Sequence, residues 1–238
     1  PDGHTLVVYG SSFWTVPLIQ ASPFDPVTDF TPVTLAAATP NVVAIHPSLP
    51  VATLSEFIAH AKGKPGGLNY ATSGTGAANH LAGELFNSMA GVKLVRVNYK
   101  GPGQAVSDLI AGQVQVMFAS AAAALQQVRG GKLRALAVTS LKPSALAPEL
   151  PTVSASGLPG YEAVSPYGIY GPARLPGHVT RDLHRDIVFA LATDDAKKRL
   201  FAAAIEVVAS TPEQLTASMK ADQLKFGRII REVGIRVE

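Results

Sequence analysis

The chain of 238 residues contains no cysteine. Disulfides, thiolate nucleophiles and cysteine-based zinc sites are therefore excluded, and the periplasm and the cytoplasm fit equally well on that count. Charge is also sparse: 16% of residues are charged, against 47% hydrophobic. Even so, no apolar run reaches the roughly 18 residues that a membrane-crossing helix needs, so no direct membrane insertion is expected. The six histidines (His4, His46, His60, His80, His178 and His184) form no H-E-x-x-H or similar pair, and no metal is expected. Gly74-Thr75-Gly76 lacks the third glycine of a dinucleotide fingerprint, and there is neither a P-loop GK[ST] nor a G-x-S-x-G elbow. Asp108 and Glu84 read as ordinary helix-surface carboxylates. No recognisable set of nucleophile, base and orienting group is present, so the chain reads as a non-enzyme without a cofactor.

The length allows one domain or two lobes with a substantial core. Twenty basic and 17 acidic residues give a net charge of +3. The basic residues are scattered apart from Lys197-Lys198-Arg199, which reads as a solvated helix face, so no nucleic-acid partner is expected. Pro1-Asp2-Gly3-His4 begins in a turn with no leader-like run, which fits a processed precursor or a fragment.

The chain alternates strand-like and helix-like segments, which indicates an α/β fold with largely parallel sheets. Thr5–Tyr9 reads as a buried strand, 17–32 as a surface loop with one short helix, and Val33–Ala38 and Val42–His46 as two strands. Thr53 with Glu56 forms a capping box, predicting a helix to about Lys62. Strands then come near 68–71, 94–98, 114–118, 133–139, 163–171 and 205–208. Helices are predicted after Gly76 (Leu81, Leu85, Phe86 and Met89 at helical spacing, ended by Gly91), from Pro102, over 121–128, and over 177–192, 195–203 and 212–233.

Two glycine turns carry most of the functional information: Thr72-Ser73-Gly74-Thr75-Gly76 and Tyr99-Lys100-Gly101-Pro102-Gly103. Each succeeds a strand and opens a helix, where free N–H groups and a partial positive charge make a natural seat for an anion. Side-chain capping by Ser73 or Thr75 is the simpler alternative at the first turn. Tyr99, Lys100 and Gly101 offer a phenol, an ammonium and a second helix start, or an ordinary surface lysine. Ser11, Ser12 and Ser120 end strand-like runs, where each either bonds a ligand or caps the next segment. Phe13, Trp14, Tyr167 and Tyr170 either wall a pocket or, more simply, fill the core. His80 lies one turn into its helix and reads more readily as a satisfied structural histidine than as an anion contact.

An ordered set of short motifs completes the pattern. It comprises Pro1-Asp2-Gly3-His4-Thr5-Leu6, Phe24-Asp25-Pro26-Val27-Thr28-Asp29-Phe30, His46-Pro47-Ser48-Leu49-Pro50, Leu68–Gly74, His80-Leu81-Ala82-Gly83-Glu84, Tyr99-Lys100-Gly101, Gly112-Gln113-Val114, Gly131–Thr139 and Pro151-Thr152-Val153. Taken together, these resemble the Bug family of extracytoplasmic solute receptors, the TctC-type binding components of tripartite tricarboxylate transporters. The resemblance runs over the whole chain.

It implies a type II periplasmic-binding-protein fold with two α/β lobes around a cleft: lobe 1 over 1–44 plus 166–238, and lobe 2 over 45–165. It also implies a periplasmic receptor that captures a small organic carboxylate and passes it to membrane permease subunits. Thr72, Ser73, Gly74, Thr75, Gly76, Tyr99, Lys100, Gly101 and Ser120 would contact the ligand from lobe 2, and Ser11, Ser12 and Tyr167 from lobe 1. In the family, roughly 60–70 residues (about a βαβ unit and its following elements) precede the Pro-Asp-Gly motif. Lobe 1 is therefore expected to be incomplete at its N-terminus. Ala119 and Pro166 depart from the polar and aromatic residues that relatives often carry there. An effector-sensing or enzymatic domain of a related two-lobe fold, binding a small anion, is the alternative.

Overall fold

The computed structural model describes residues 1–236. The chain divides into two compact units, Pro1–Thr39 with Ser165–Glu238 and Pro40–Val164.

In the first unit, β1 (Val7–Gly10) leads into a single helical turn, α1 (Ser12–Thr15), and a 3-10 turn (Val16–Leu18). β1 pairs antiparallel with β7 (Val164–Pro172). The strand β2 (Phe30–Ile45) pairs in this unit with β8 (Glu206–Val207) through Ala37 and Ala38. Helices α6 (Gly177–Ala192), α7 (Asp194–Ala202) and α8 (Pro212–Val233) complete it. Phe13, Trp14, Tyr170, Leu215 and Met219 form its buried cluster. Phe13 packs edge-on to Phe30, with ring centroids 4.8 Å apart, a favoured arrangement for the ring quadrupoles. The indole N–H of Trp14 donates to Asp222 at 3.2 Å, so burying this ring leaves no polar atom unpaired.

In the second unit, β2 continues from Asn41 and is flanked on both sides. β5 (Val116–Ser120) and β6 (Arg134–Val138) each pair with it antiparallel. β3 (Asn69–Thr72) runs parallel to β5 on one side and to β4 (Val95–Asn98) on the other. Four strands thus point one way, with β2 alone reversed. The helices are α2 (Leu54–Lys62), α3 (Ala78–Ala90), α4 (Pro102–Ile110) and α5 (Ala121–Arg129). α3 lies close on β3 because Gly83 has no side chain: a Cβ there would stand 2.3 Å from the Tyr70 ring. Phe86 joins Phe57, Phe118 and Tyr161 in the core, and the Tyr161 hydroxyl donates to the Ala82 carbonyl at 2.9 Å.

Three sequence expectations are corrected. The first strand is not buried: Val8 is 62% and Tyr9 52% exposed, because β1 stands at the edge of its sheet. The two strands expected at 33–38 and 42–46 are one 16-residue strand. Its Pro40 lies between the stretch that pairs with β8 and the stretch that pairs with β5 and β6, where a missing N–H breaks no ladder bond that either of those pairings needs. The sheets are less uniformly parallel than alternation suggests, since β1 with β7, and β2 with β5, β6 and β8, are all antiparallel.

Candidate functional site

β3, β4 and β5 end side by side, at Thr72, Asn98 and Ser120. Because they are parallel, their carboxyl ends share one edge of the sheet, the edge at which open α/β sheets bind ligands. A helix starts just beyond each end, and none of α3, α4 and α5 has a side-chain cap. α2, α7 and α8 are capped by Thr53, Thr193 and Thr211, whereas α1 and α6 also start without a side-chain cap. What distinguishes α3, α4 and α5 is that their uncapped starts share one edge of a sheet. Uncapped first-turn amides keep their hydrogen-bonding capacity and the positive end of the helix dipole, both suited to an anion.

The capping alternative for the first glycine turn is overturned. The N-cap of α3 is Ala77, and neither Ser73 nor Thr75 caps it. The hydroxyls have other partners. Ser73 directs both its N–H and its O–H at Asn79 Oδ1, each at 3.2 Å. Thr75 Oγ1 accepts from Arg96 Nη2 at 2.7 Å. Thr72 is fully buried, donates to Asn98 Oδ1 at 3.1 Å and accepts from Arg96 Nε at 3.4 Å. Gly74 and Gly76, at φ 151° and 75°, occupy backbone conformations that side chains resist. They turn the chain sharply between β3 and α3, and Gly74 faces open space.

His80 is a structural residue, in keeping with the simpler reading. It is 1% exposed, and its Nδ1 accepts the Gly76 N–H at 3.0 Å. Burial, and then the nearby Arg96 cation, hold it down to about 4, so the ring is neutral near neutrality and remains an acceptor. Behind it, the Tyr70 hydroxyl donates to Glu84, whose Oε1 is 3.8 Å from His80 Nε2. Burial, and then Glu84, push the Tyr70 phenol up.

The structure brings Thr72–Gly76 together with Tyr99–Gly101 through adjacent strands, and the Tyr99 N–H donates to the Thr72 carbonyl at 2.9 Å. Lys100 is exposed, while Tyr99 is buried with its phenol raised by that burial and by Asp108. Ser120 is the N-cap of α5 and leaves that helix without a side-chain cap. In the other unit, Ser11 precedes α1 and Ser12 begins it, while Tyr167 pairs with Gly10, so these three also lie together. Of the four aromatics weighed as pocket walls, Phe13, Trp14 and Tyr170 fill the core.

Sequence reasoning missed Arg96, Asn79 and Asn98. No short stretch of sequence marks them. Arg96 and Asn98 gain their places from register with β3, which sets Arg96 beside Tyr70 and Asn98 beside Thr72. Asn79 gains its place from the Ser73 turn folding back onto the start of α3.

These features define a class of fold, an α/β protein of two compact units in which parallel strands end at one sheet edge beside uncapped helix starts. The family description "Tripartite tricarboxylate transporter family receptor" (TctC) matches residues 1–235. The chain belongs to this family of solute-binding receptors. It is 30% identical over 241 residues to protein BugT of Bordetella pertussis, covering 100% of this chain and 74% of BugT. Among solved structures it is similar to Rpa4515 of R. palustris with adipate, at TM-score 0.83 and 30% identity, covering 99% of this chain and 79% of that one. It is also similar to MatC of Rhodopseudomonas palustris with bound malate, at TM-score 0.77 and 26% identity, covering 97% and 80%. The family and its α/β fold are as the motifs implied.

Proposed function

We propose that this chain is a periplasmic, non-catalytic receptor that captures a small organic carboxylate and delivers it to permease subunits of a tripartite tricarboxylate transporter. The observation that carries the reading is the set of three helices with no side-chain cap at one strand edge. Within the Ser73–Gly76 turn, the Gly74 and Thr75 N–H groups and the Thr75 hydroxyl hold one carboxylate group. Ser73 and Gly76 fix the turn through Asn79 and His80, and Tyr99, Lys100, Gly101 and Ser120 lie beside them. Ser11, Ser12 and Tyr167 form a second polar contact set for the same ligand class. Amides and hydroxyls of this kind bind a carboxylate by hydrogen bonding and leave it chemically unchanged. Structures of relatives with adipate and with malate support this ligand class.

The test is calorimetric titration of the full-length protein with malate, adipate, a neutral sugar and a diamine. Carboxylate binding without turnover is expected. Binding of the sugar or the diamine alone, or release of a reaction product from a bound acid, would overturn the reading.

A further inference from the structure

Arg96 is a half-buried cation at the base of the seat. Arg185, Arg199 and Arg228 each lie exposed on a helix with a carboxylate within 2.9 Å. Arg96 makes no ion pair among the described residues: its neighbours are Thr72, Thr75 and His80. Glu84, the carboxylate beside His80, is engaged by the Tyr70 hydroxyl. A guanidinium is always charged and is planar, so it carries its charge wherever its fork is held.

The hydrogen-bond directions are set by that charge. Gly76 donates to His80 Nδ1, so the proton of the neutral ring sits on Nε2. The 3.3 Å approach of Arg96 Nη1 to Nε2 is then a contact between two donors and leaves the Nη1 protons unsatisfied. At Thr75, Arg96 occupies an acceptor position on Oγ1, and the hydroxyl proton remains free to donate. At Ser73 the opposite holds, since Asn79 already takes its hydroxyl proton. Because a backbone N–H also donates to that same Asn79 oxygen, the orientation of the amide is fixed. The seat therefore offers a hydroxyl donor at Thr75 above an unpaired positive charge.

We propose that Arg96 is a positioning and specificity-determining residue, which holds the Thr75 hydroxyl as a donor and favours an ionised carboxylate over its uncharged isostere at the Ser73–Gly76 seat. This rests on the carboxylate-receptor reading above. A carboxylate presents only acceptors and a negative charge. The corresponding primary amide has the same shape, but it brings no charge and turns donors toward a donor-rich loop.

The experiment measures affinities of the full-length protein for adipate, malate and their mono-amides at low and high salt, in wild type, Arg96→Gln, Arg96→Lys, Thr75→Val and Arg96→Gln with Thr75→Val. Arg96→Gln is expected to weaken dicarboxylate binding by about tenfold or more, the scale of one charge-assisted bond. It should also shrink the preference for acid over mono-amide and flatten the salt dependence, while Arg96→Lys keeps the salt dependence. The double variant should lose less than the product of the two single losses, because Arg96 acts partly through Thr75. Affinity and acid-to-amide ratio within about twofold of wild type in Arg96→Gln would overturn the proposal, as would full additivity. If Arg96→Gln fails to fold, the wild type and Thr75→Val decide: no preference of the wild type for acid over mono-amide, or no loss of dicarboxylate affinity in Thr75→Val, overturns it. Wild-type silence toward both acids overturns the receptor reading and this role together. Wild-type binding with an indifferent Arg96 overturns only the role.

Discussion

His80 connects the seat's geometry to pH. Its neutral ring accepts the Gly76 N–H, with Arg96 of β4 and Glu84 of its own helix facing it and Tyr70 of β3 held behind Glu84. In the folded chain it titrates at about 4, against 6.5 for an ordinary histidine. Between those values the unfolded chain binds a proton that the folded chain refuses. Stability is therefore complete above the unfolded value and falls as pH drops from about 6.5 toward 4, by roughly 3 kcal/mol in total. Denaturant titrations at pH 7 and pH 4.5 measure this. His80→Gln, whose amide oxygen can still accept from Gly76, should remove most of the slope, and an unchanged slope would contradict the assignment. Gly76 gives a second residue-scale prediction. At φ 75° a Cβ is strained, so Gly76→Ala should cost about 1–2 kcal/mol of stability. Because the turn presents the seat, it should also lower carboxylate affinity, read by calorimetry on the folded variant.

At the scale of elements, α3 shows how binding and stability oppose each other. Its N-cap, Ala77, has the extended conformation of a capped helix start but no side chain able to cap. Ala77→Asp should stabilise the protein by about 0.5–1 kcal/mol through capping and the helix dipole. It should weaken carboxylate binding by about tenfold, since an internal carboxylate then competes for the same amides. A rise in affinity would count against the seat. Gly83→Ala probes the opposite face of the helix: its Cβ would stand 2.3 Å from the buried Tyr70 ring, an overpacking that should cost about 1–3 kcal/mol in thermal unfolding. Elements differ in how far local chemistry reveals them. α2 is legible because Thr53 and Glu56 make the whole capping box within one turn. β1 misleads, since five consecutive apolar or β-prone residues imply burial while exposure depends on which strand lies alongside. β2 looks like two strands because Pro40 breaks the local pattern, although the pairings on either side of it do not use its N–H. The glycine turns announce a seat because glycine has meaning at a single position. Arg96 announces nothing: its significance comes from the β3–β4 register, which no short window contains.

At the scale of the whole molecule, the chain covers 69% and 74% of the lengths of two curated relatives, one 33% and one 30% identical to it. The second unit is built from one continuous segment and the first from two. The edge where β3, β4 and β5 end belongs wholly to the continuous segment. A ligand on that edge should therefore leave a local signature. At about 100 times its dissociation constant, a carboxylate that binds only the folded state adds about 2.7 kcal/mol. For a chain of this size that raises the melting midpoint by about 5–10 °C. Amide hydrogen exchange then locates the effect. Slowed exchange is expected at Gly74 and Thr75 and in the first turns of α3, α4 and α5. Smaller changes are expected at Ser73 and Gly76, whose N–H groups already bond Asn79 and His80, and in the first turn of α2, whose amides already have the Thr53 cap. If Ser11 and Ser12 also contact the ligand, the amides at 11–14 slow in parallel at the same ligand concentration. Protection confined to α6 and α7, with no change at 73–76, would mean that the acid binds elsewhere and that the uncapped helix starts do not hold it.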